Sequence, residues 1–294
     1  MRDRQELGGF LRSRRARVTP QSAGLPGGSR RRVPGLRREE LAQVAGISVE
    51  YYQRLEQGRA TRPSEEVLDA IARVLRLDDV RRAHLHRLAR PPRGPVPATD
   101  QAAGQVRPEL QHMLTLMDRI PALIINDGFD LLAANPLATR IFTAVNIAPA
   151  ANCNMARYLF LDPAARDFHL EWAGVAAATA GQLRLATGRH PGDPNLTGLV
   201  TELTTSSEDF RALWDAGDVE QRSCGAKSLR HPALGVLTLH YENFEPISSP
   251  RQRLITFTPE PQSATEAALH LLATWAAPAQ ARPRAAADRL VIDH

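Results

Sequence analysis

The stretch that most constrains this chain is AGISVEYYQRLEQG, which spans residues 45–58 and sets one glycine before a short helical pattern and another at its end. Gly46 tolerates the left-handed backbone in which a helix ends and the chain turns. Ser48 is suited to cap the next helix by accepting from its first free amides. Tyr52 and Leu55 are spaced to face a core, so most other side chains face outward. The pattern predicts two short helices joined by a sharp turn, the second with a polar outer face.

Further helical patterns surround this turn. Apolar residues recur at helical spacing in several other segments, which predicts further helices. One of these helices starts at Pro63-Ser64-Glu65-Glu66, where Ser64 can cap the helix and the two acids lie at its positive end. The helices predicted besides the short helix after Ser48 are Leu7 to Arg17, Arg37 to Ala45, one that starts at Pro63 and runs through Leu75, and Asp78 to Ala89. The first part of the chain is therefore predicted to be all-α.

Charge divides the chain into two unlike parts. Residues 1–95 hold 21 Arg and 11 acidic residues, a balance of +10, whereas residues 96–294 have a balance of −5. A strongly basic segment with a polar helix face favours a nucleic-acid partner over an ordinary solvated surface. The break falls in Pro91 to Gln105, whose Pro, Ala and Gly content suits an extended linker.

The segment LRREELAQVAGISVEYYQRLEQGRATRPSEEVLDAIARVL resembles the lambda-repressor-like, XRE-type helix-turn-helix domain, and the resemblance covers nearly all of residues 5–89. In that family the second helix crosses the DNA backbone and the third enters the major groove. The resemblance also implies a buried ion pair between Arg15 on the first helix and Glu56 on the third. It implies base-reading roles for Val49, Glu50, Gln53 and Arg54 and phosphate contacts for Arg38, Arg59 and Arg62. Ser48, at the start of this helix, is a further candidate DNA-binding residue.

Two alternatives remain open for these basic and polar residues. Glu50 and Arg54 stand at positions i and i+4, so they can pair with each other on the helix surface instead of reading bases. The connection Val18 to Leu36 is longer than helix-turn-helix loops normally are and contains Arg30, Arg31 and Arg32. These three arginines are expected to lie along the DNA, and the alternative is a solvated charge run.

The second part of the chain begins with a predicted hairpin. Apolar strands at Ala122 to Ile125 and Leu131 to Ala134 flank an Asn-Asp-Gly turn and lead into a helix opened by Asn135-Pro136. Helices are predicted at Pro163 to Leu185 and Pro194 to Thr204, followed by Asp209 to Trp214; strands are predicted at Gly235 to Phe244 and Arg253 to Phe257, and a closing helix at Ser263 to Trp275. This order predicts an α+β, PAS-like domain in which helices cover a small antiparallel sheet.

The motifs NMARYLF, GRHPGDP, LWDAGDV and KSLRHPALGVLTLHYE resemble the MmyB-like regulator family, over roughly residues 107–276. The resemblance implies a PAS-like domain that binds fatty-acid-like or other apolar small molecules. This chain departs from the family pattern at Gly217, where the family carries a histidine. The candidate ligand-binding residues are Arg157, as the anchor for a carboxylate, and the apolar side chains Phe160, Trp172, Trp214 and Leu239. For Arg157 the alternative role is an ion pair at a helix end.

Other functional classes lack their signatures in this sequence. It has no GxGxxG after a strand, no GxxxxGK[ST], no GxSxG and no HExxH, so no catalytic residue, cofactor or metal is predicted. His190 and Asp193 are expected to belong to a turn and not to an acid-base pair. Cys153 and Cys224 are predicted to be buried thiols. The charged start lacks a secretory signal, which predicts a cytoplasmic protein.

The sequence therefore predicts a transcription regulator that binds double-stranded DNA as a homodimer at a palindromic operator and senses a small apolar effector. The predicted organisation is a helix-turn-helix DNA-binding domain at 1–90, a linker at 91–106, a PAS-like ligand-binding domain at 107–277 and a disordered tail at 278–294. Two alternatives are a small-molecule enzyme with an appended helix-turn-helix domain and an architectural DNA binder without an effector.

Overall fold

A computed structural model describes residues 2–26, 35–60, 63–89, 104–143 and 153–274. Several residues singled out in the sequence lie outside these ranges: Arg30, Arg31, Arg32, Arg62, most of the linker 91–106 and the tail 278–294. Within the described ranges, no helix is both long enough and apolar enough to span a membrane.

The described residues of the first part of the chain form five α-helices. Their bounds are α1 Arg2–Arg17, α2 Arg38–Ala45, α3 Val49–Glu56, α4 Glu65–Val74 and α5 Asp79–Ala89, with a short 3-10 turn at Gln21–Ala23. Their core is apolar and includes Phe10, Leu41, Tyr52, Leu55 and Ile71, each at most 2% exposed. The all-α prediction for this part is confirmed.

The turn between α2 and α3 has the local chemistry predicted from the sequence. Gly46 ends α2 with φ of 69°, a left-handed conformation that a side chain would strain. Ser48 then caps α3, since its hydroxyl accepts from the backbone amide of Tyr51 at 3.1 Å. A second serine, Ser64, caps α4 in the same way through the amide of Val67. Gly46 and Ser48 together define where α2 ends and α3 begins.

The second part of the chain is built on one antiparallel sheet with strand order β2-β1-β5-β4-β3. The strands are β1 Ala122–Asn126, β2 Leu131–Ala134, β3 Cys224–His231, β4 Gly235–Phe244 and β5 Gln252–Pro259. The helices are α6 Pro108–Leu116, α7 Pro136–Thr143, α8 Met155–Leu161, α9 Ala164–Phe168, α10 Trp172–Arg189, α11 Pro194–Ser206, α12 Glu208–Asp215 and α13 Ala264–Thr274. The predicted α+β, PAS-like architecture is confirmed by this sheet and the helices inserted between β2 and β3.

Two cores lie on the two faces of the sheet. The larger one joins the sheet to the inserted helices through residues such as Leu123, Phe168, Leu183 and Phe257. The smaller one packs α6 against the opposite face of β1, where Leu114 and Ile124 are buried. Because β1 is buried on both faces, its run of consecutive apolar residues has a structural cause.

The structure corrects three predictions for this part. Pro163 to Leu185 is not one helix, because the chain is extended at His169, which forms an isolated bridge with Leu229 of β3. The strand β3 was not predicted, since it buries only Leu229 and His231 fully among polar neighbours. Cys224 is exposed at the start of β3 and Cys153 is half-buried, so the prediction of buried thiols is wrong.

Candidate functional site

The outer face of α3 is available for contact with a large partner. Glu50, Gln53 and Arg54 are exposed, whereas Tyr52 and Leu55 are completely or almost completely buried. Glu50 and Arg54 form no ion pair with each other among the contacts of the described residues, so the pairing alternative is not what this conformation shows. Arg54 instead lies 5.7 Å from the centre of the Tyr51 ring. The face therefore offers a carboxylate, an amide and a guanidinium to the outside.

A buried carboxylate fixes α3 against the rest of the bundle. The side chain of Glu56 is only 1% exposed, and its two oxygens accept from Arg15 Nε and Arg38 Nε, each at 2.7 Å. Arg15 also donates to the carbonyl of Leu36 at 2.6 Å. Burial by itself raises the pKa of Glu56, but the hydrogen bonds from the two arginines outweigh it and leave the pKa lowered. The predicted Arg15–Glu56 pair is confirmed, and Arg38 is a second partner that the sequence did not reveal.

The other candidate DNA contacts lie around this helix. Ser48 and Arg59 are exposed at the two ends of α3, and Val49 is half-buried at its start. The exposed Arg38 begins α2, and its link to Glu56 holds its side chain beside α3. Arg30, Arg31, Arg32 and Arg62 fall outside the described residues. The described candidates thus cluster on α3 and the adjoining ends of the helices.

An aromatic cluster marks the helical side of the second domain. The ring of Phe160 lies 4.9 Å from Phe210 and 6.2 Å from Trp172, both edge-on, and Phe210 stacks on Trp214 at 5.5 Å. Trp172 also donates from its indole nitrogen to the carbonyl of Leu159 at 3.0 Å. Three of the predicted ligand-binding residues are therefore brought together by α8, α10 and α12, with Phe210 as a fourth member that was not predicted.

The remaining two candidates lie apart from these ring contacts. Leu239 is fully buried on β4 in the core against the sheet. Arg157 is half-exposed on α8, and its Nε and Nη2 donate to the carboxylate of Glu202 on α11 at 2.8 to 3.0 Å. This is the ion-pair role that the sequence left open as the alternative. A ligand carboxylate would have to compete with Glu202 for the guanidinium.

The loop after α12 connects this domain to the helix-turn-helix bundle. Asp218 forms ion pairs with Arg14 and Arg17 of α1 and with Arg81 of α5, at 2.6 Å for Arg17 and 3.1 Å for Arg81. Burial raises the pKa of Asp218, yet the three arginines lower it well below its ordinary value. The next residue, Val219, is 1% exposed inside the core of the bundle. The two domains therefore share a continuous, specific interface.

Backbone groups of the same loop extend this interface. Ser13 donates to the carbonyl of Ala216, and Arg14 donates to the carbonyl of Gly217 at 3.1 Å. Gly217 has φ of 69°, and a Cβ at this position would come within 3.2 Å of the Ser13 side chain. The left-handed backbone and the close approach to α1 therefore favour glycine at this position.

The end of α10 also contacts the bundle. A Cβ at Gly188 would lie 2.8 Å from the ring of His84 in α5, and further back on α10 a Cβ at Gly181 would lie 2.9 Å from the backbone of Glu220, in the loop that carries Asp218. His84 is 2% exposed, and burial together with nearby arginines lowers its pKa to about 3, so it is neutral at physiological pH. Close packing of glycine against an uncharged ring brings α10 directly onto the DNA-binding bundle.

The histidine and carboxylate of GRHPGDP do not form a pair. His190 lies 3.1 Å from Asp127, while Asp193 caps α11 through the amides of Asn195 and Leu196. The turn interpretation is therefore confirmed. In the described part of the chain, no group of three or more His, Cys, Asp or Glu side chains is arranged to hold a metal ion.

Comparison with known families identifies both parts of the chain. Residues 106–272, more than half of the chain, match the model of the MmyB-like transcription regulator ligand binding domain. Residues 6–85 match a helix-turn-helix domain model. A search of curated proteins returned no match. Both resemblances inferred from the sequence motifs are confirmed by these matches.

Proposed function

Since the chain belongs to the family of MmyB-like transcription regulators, we propose that it reads a specific DNA sequence with α3 and adjusts that binding in response to a small apolar molecule. The observation that carries this proposal is the outer face of α3, where Glu50, Gln53 and Arg54 are exposed while buried Glu56 anchors the helix. A helix that enters a major groove must be held firmly by the rest of its domain and must carry polar side chains that are free to bind bases.

Each exposed group has a distinct base-reading chemistry. Arg54 can donate two hydrogen bonds to guanine, Gln53 suits adenine, and Glu50 accepts from cytosine. Val49, half-buried at the start of α3, can contact a thymine methyl group. Ser48 and Arg59, together with the arginines outside the described residues, would contact phosphates and set the register without reading sequence. Arg38 would do the same while its Nε remains on Glu56.

We propose that the regulator acts in the cytoplasm as a homodimer on a palindromic operator. Two recognition helices related by a twofold axis read half-sites about 34 Å apart, one turn of the duplex. The positive balance of residues 1–95 supports tight contact with phosphates. Both parts of the chain are of regulator type, which favours binding over turnover.

The effector site is proposed at the aromatic cluster formed by Phe160, Trp172, Phe210 and Trp214. These rings are only partly buried, apart from fully buried Phe210. Arg166 covers the Trp172 ring at 3.8 Å and Arg184 covers the Trp214 ring at 4.2 Å, so a ligand chain would lie against the cluster by displacing these guanidinium groups. Leu239 would lie deeper in the same core. Arg157 would anchor a carboxylate by exchanging its partner Glu202 for the ligand.

The contacts of Trp214 support a route from this cluster to DNA. Trp214 stacks on Phe210, and its carbonyl accepts from the amide of Gly217 at 3.0 Å. Gly217 in turn accepts from Arg14 on α1, next to the Asp218 ion pairs. A shift of Trp214 on ligand binding would therefore move the loop that holds the helix-turn-helix bundle.

The DNA proposal is tested by selection from a random duplex library with the purified full-length chain, followed by sequencing. We expect an enriched palindromic motif. Arg54→Ala should change the bases preferred at one position of each half-site, a cost of about 1–3 kcal/mol against the wrong base. Ser48→Gly, which keeps a permissive cap while removing the hydroxyl, should leave the motif unchanged. No enriched motif, or the same motif from wild type and Arg54→Ala, would refute the role of α3.

The effector proposal is tested by native mass spectrometry of the purified chain and by thermal unfolding with medium- and long-chain carboxylic acids. Arg157→Ala should abolish the stabilisation by these acids, whereas Glu202→Gln should strengthen it because the guanidinium then loses its competitor. Acids that stabilise all three proteins equally would show that Arg157 does not hold the carboxylate.

A further inference from the structure

A polar cavity of about 230 Å³ lies beside the domain interface, apart from the aromatic cluster. It is partly open to solvent and is lined by α10, the segment 220–223, the end of β4, the start of β5 and Asp127 after β1. Its charged lining consists of Arg189, Arg222, Arg253, Asp127, Glu220 and Glu245. A lining with three cations and three carboxylates does not suit an apolar effector, so a ligand of this cavity would be polar or charged.

The lining arginines differ in how they are paired. Arg222 Nε lies 2.6 Å from Glu220 Oε1, and Arg189 lies 3.9 Å from Glu245. Arg253 donates to the amide oxygen of Gln182 and covers the Phe129 ring at 5.0 Å, but in the described structure no carboxylate lies within ion-pair distance of it. Its Nε is buried and has no hydrogen-bond partner. A residue that lines the cavity therefore carries a buried donor without an acceptor.

A matching acceptor stands on the neighbouring strand. The amide nitrogen of Asn243 donates to the carbonyl of Arg222 at 2.6 Å, which assigns the other terminal atom as oxygen. That oxygen, Oδ1, is buried and accepts from no group of the described chain. Asn243 pairs in register with Ile255, so Arg253 is its diagonal neighbour on the same face of the sheet. Diagonal neighbours are about 7–8 Å apart, close enough for one small ligand to reach both side chains.

From this pairing of a buried donor and a buried acceptor we propose that the cavity binds a free amino acid or a zwitterion of similar size. The ligand carboxylate accepts from Arg253, and its ammonium donates to Asn243 Oδ1 beside the carboxylates of Glu220 and Glu245. The cavity is smaller than the roughly 300–1,000 Å³ of pockets for drug-sized molecules, so its ligand is of metabolite size. This ligand and its position are both distinct from the apolar effector proposed above.

The surroundings of the cavity favour a ligand with a carboxylate. Arg189 lines the cavity and also faces Arg87 of α5, where burial and the charge of Arg189 lower the pKa of Arg87. Buried His84, with Arg87, Arg184 and Arg189 near it, is kept neutral. A carboxylate on the cavity side would offset this concentration of positive charge where α10 meets the DNA-binding bundle.

The proposal is tested by isothermal titration of the full-length chain with a panel of free amino acids. Propionate and propylamine, each with one of the two charged groups, serve as probes that should not bind measurably. We expect at least one amino acid to bind, and Arg253→Lys, which keeps the charge but removes Nε, to weaken it at least tenfold. No binding by any amino acid, with the cavity holding water only, would overturn the proposal, as would equal binding of propionate.

A second pair of variants guards against a folding defect in Arg253→Lys. Ser223 is exposed at the cavity, and within the described residues its hydroxyl makes a single long contact, to Cys224 Sγ at 3.9 Å. Ser223→Phe should therefore fill the opening and abolish amino-acid binding, while Ser223→Ala should bind as wild type does. Carboxylic acids of long chain should stabilise the two variants equally. Unchanged amino-acid binding by Ser223→Phe would place the ligand elsewhere and refute this site.

Discussion

Replacing Glu56 by alanine should unfold the DNA-binding bundle at a much lower temperature. The carboxylate is almost wholly buried and binds Arg15 and Arg38, each at 2.7 Å. Removing one partner of a buried pair typically costs about 3–5 kcal/mol because the other charge is left uncompensated. Arg15 is 16% exposed, whereas Arg38 is 44% exposed and can return to water, so we expect the lower end of that range.

A loss of about 3 kcal/mol is a large part of the roughly 5–15 kcal/mol by which domains are stable. For a bundle of this size each kcal/mol shifts the unfolding midpoint by about 4–8 °C, so the first transition should fall by more than about 10 °C. Circular dichroism of the full-length chain measures this transition. Glu50→Ala removes an exposed carboxylate from the same helix and serves as the control, with a change of a few degrees at most.

The pH dependence gives an independent check on the same residue. The pKa of Glu56 is lowered in the folded chain, so its stabilisation is fully present above the ordinary carboxyl pKa and is lost as the pH falls through the folded value. Wild type should therefore lose more stability in acid than Glu56→Gln, which has no charge to lose. If Glu56→Ala and Glu50→Ala melt together, the ion pairs do not anchor α3 and the reasoning fails.

Two further predictions concern the domain interface. Asp218→Asn should move the calorimetric transitions of the two domains further apart, because Arg14 and its neighbours lose their shared carboxylate; Asp209→Asn, which breaks only an exposed pair, should leave their separation unchanged. Gly217→His should lower the unfolding temperature by several degrees, since a side chain there is strained and meets Ser13; an unchanged melting curve would contradict the close approach.

The sequence predicted the DNA-binding part well because its signals are local. Gly46 and Ser48 each act on neighbouring backbone groups, and Tyr52 and Leu55 follow the helical period, so the turn and the orientation of α3 could be inferred from a short segment. The Arg15–Glu56 pair was implied by the resemblance alone. The second contact of Glu56, with Arg38, depends on how α2 lies against α3 and has no sequence signal.

The second domain was harder to predict because its determinants are distant in the chain. Most side chains of β3 are at least partly exposed, so its sequence lacks the apolar pattern of a buried strand. It is a strand because it pairs with β4 along its whole length. The break at His169 arises from a bridge to Leu229, sixty residues further along the chain. Asp218 finds its arginines about 140 to 200 residues away, and the polar cavity draws on several separate elements. The candidate site residues could be chosen from the sequence by their side-chain chemistry. The residues that contact them in the fold could not be predicted, because they are distant in the chain.

The central claim is that effector binding in the second domain sets the DNA affinity of the first. The most direct measurement is the affinity of the full-length chain for its selected operator, with the chain stripped of ligand and then loaded with a long-chain carboxylic acid that stabilises it. We expect the affinity to change at least fivefold, as typical coupling free energies of 1–3 kcal/mol imply, and the change to be lost in Asp218→Asn. Equal operator affinity of the stripped and loaded wild-type chain would contradict the claim.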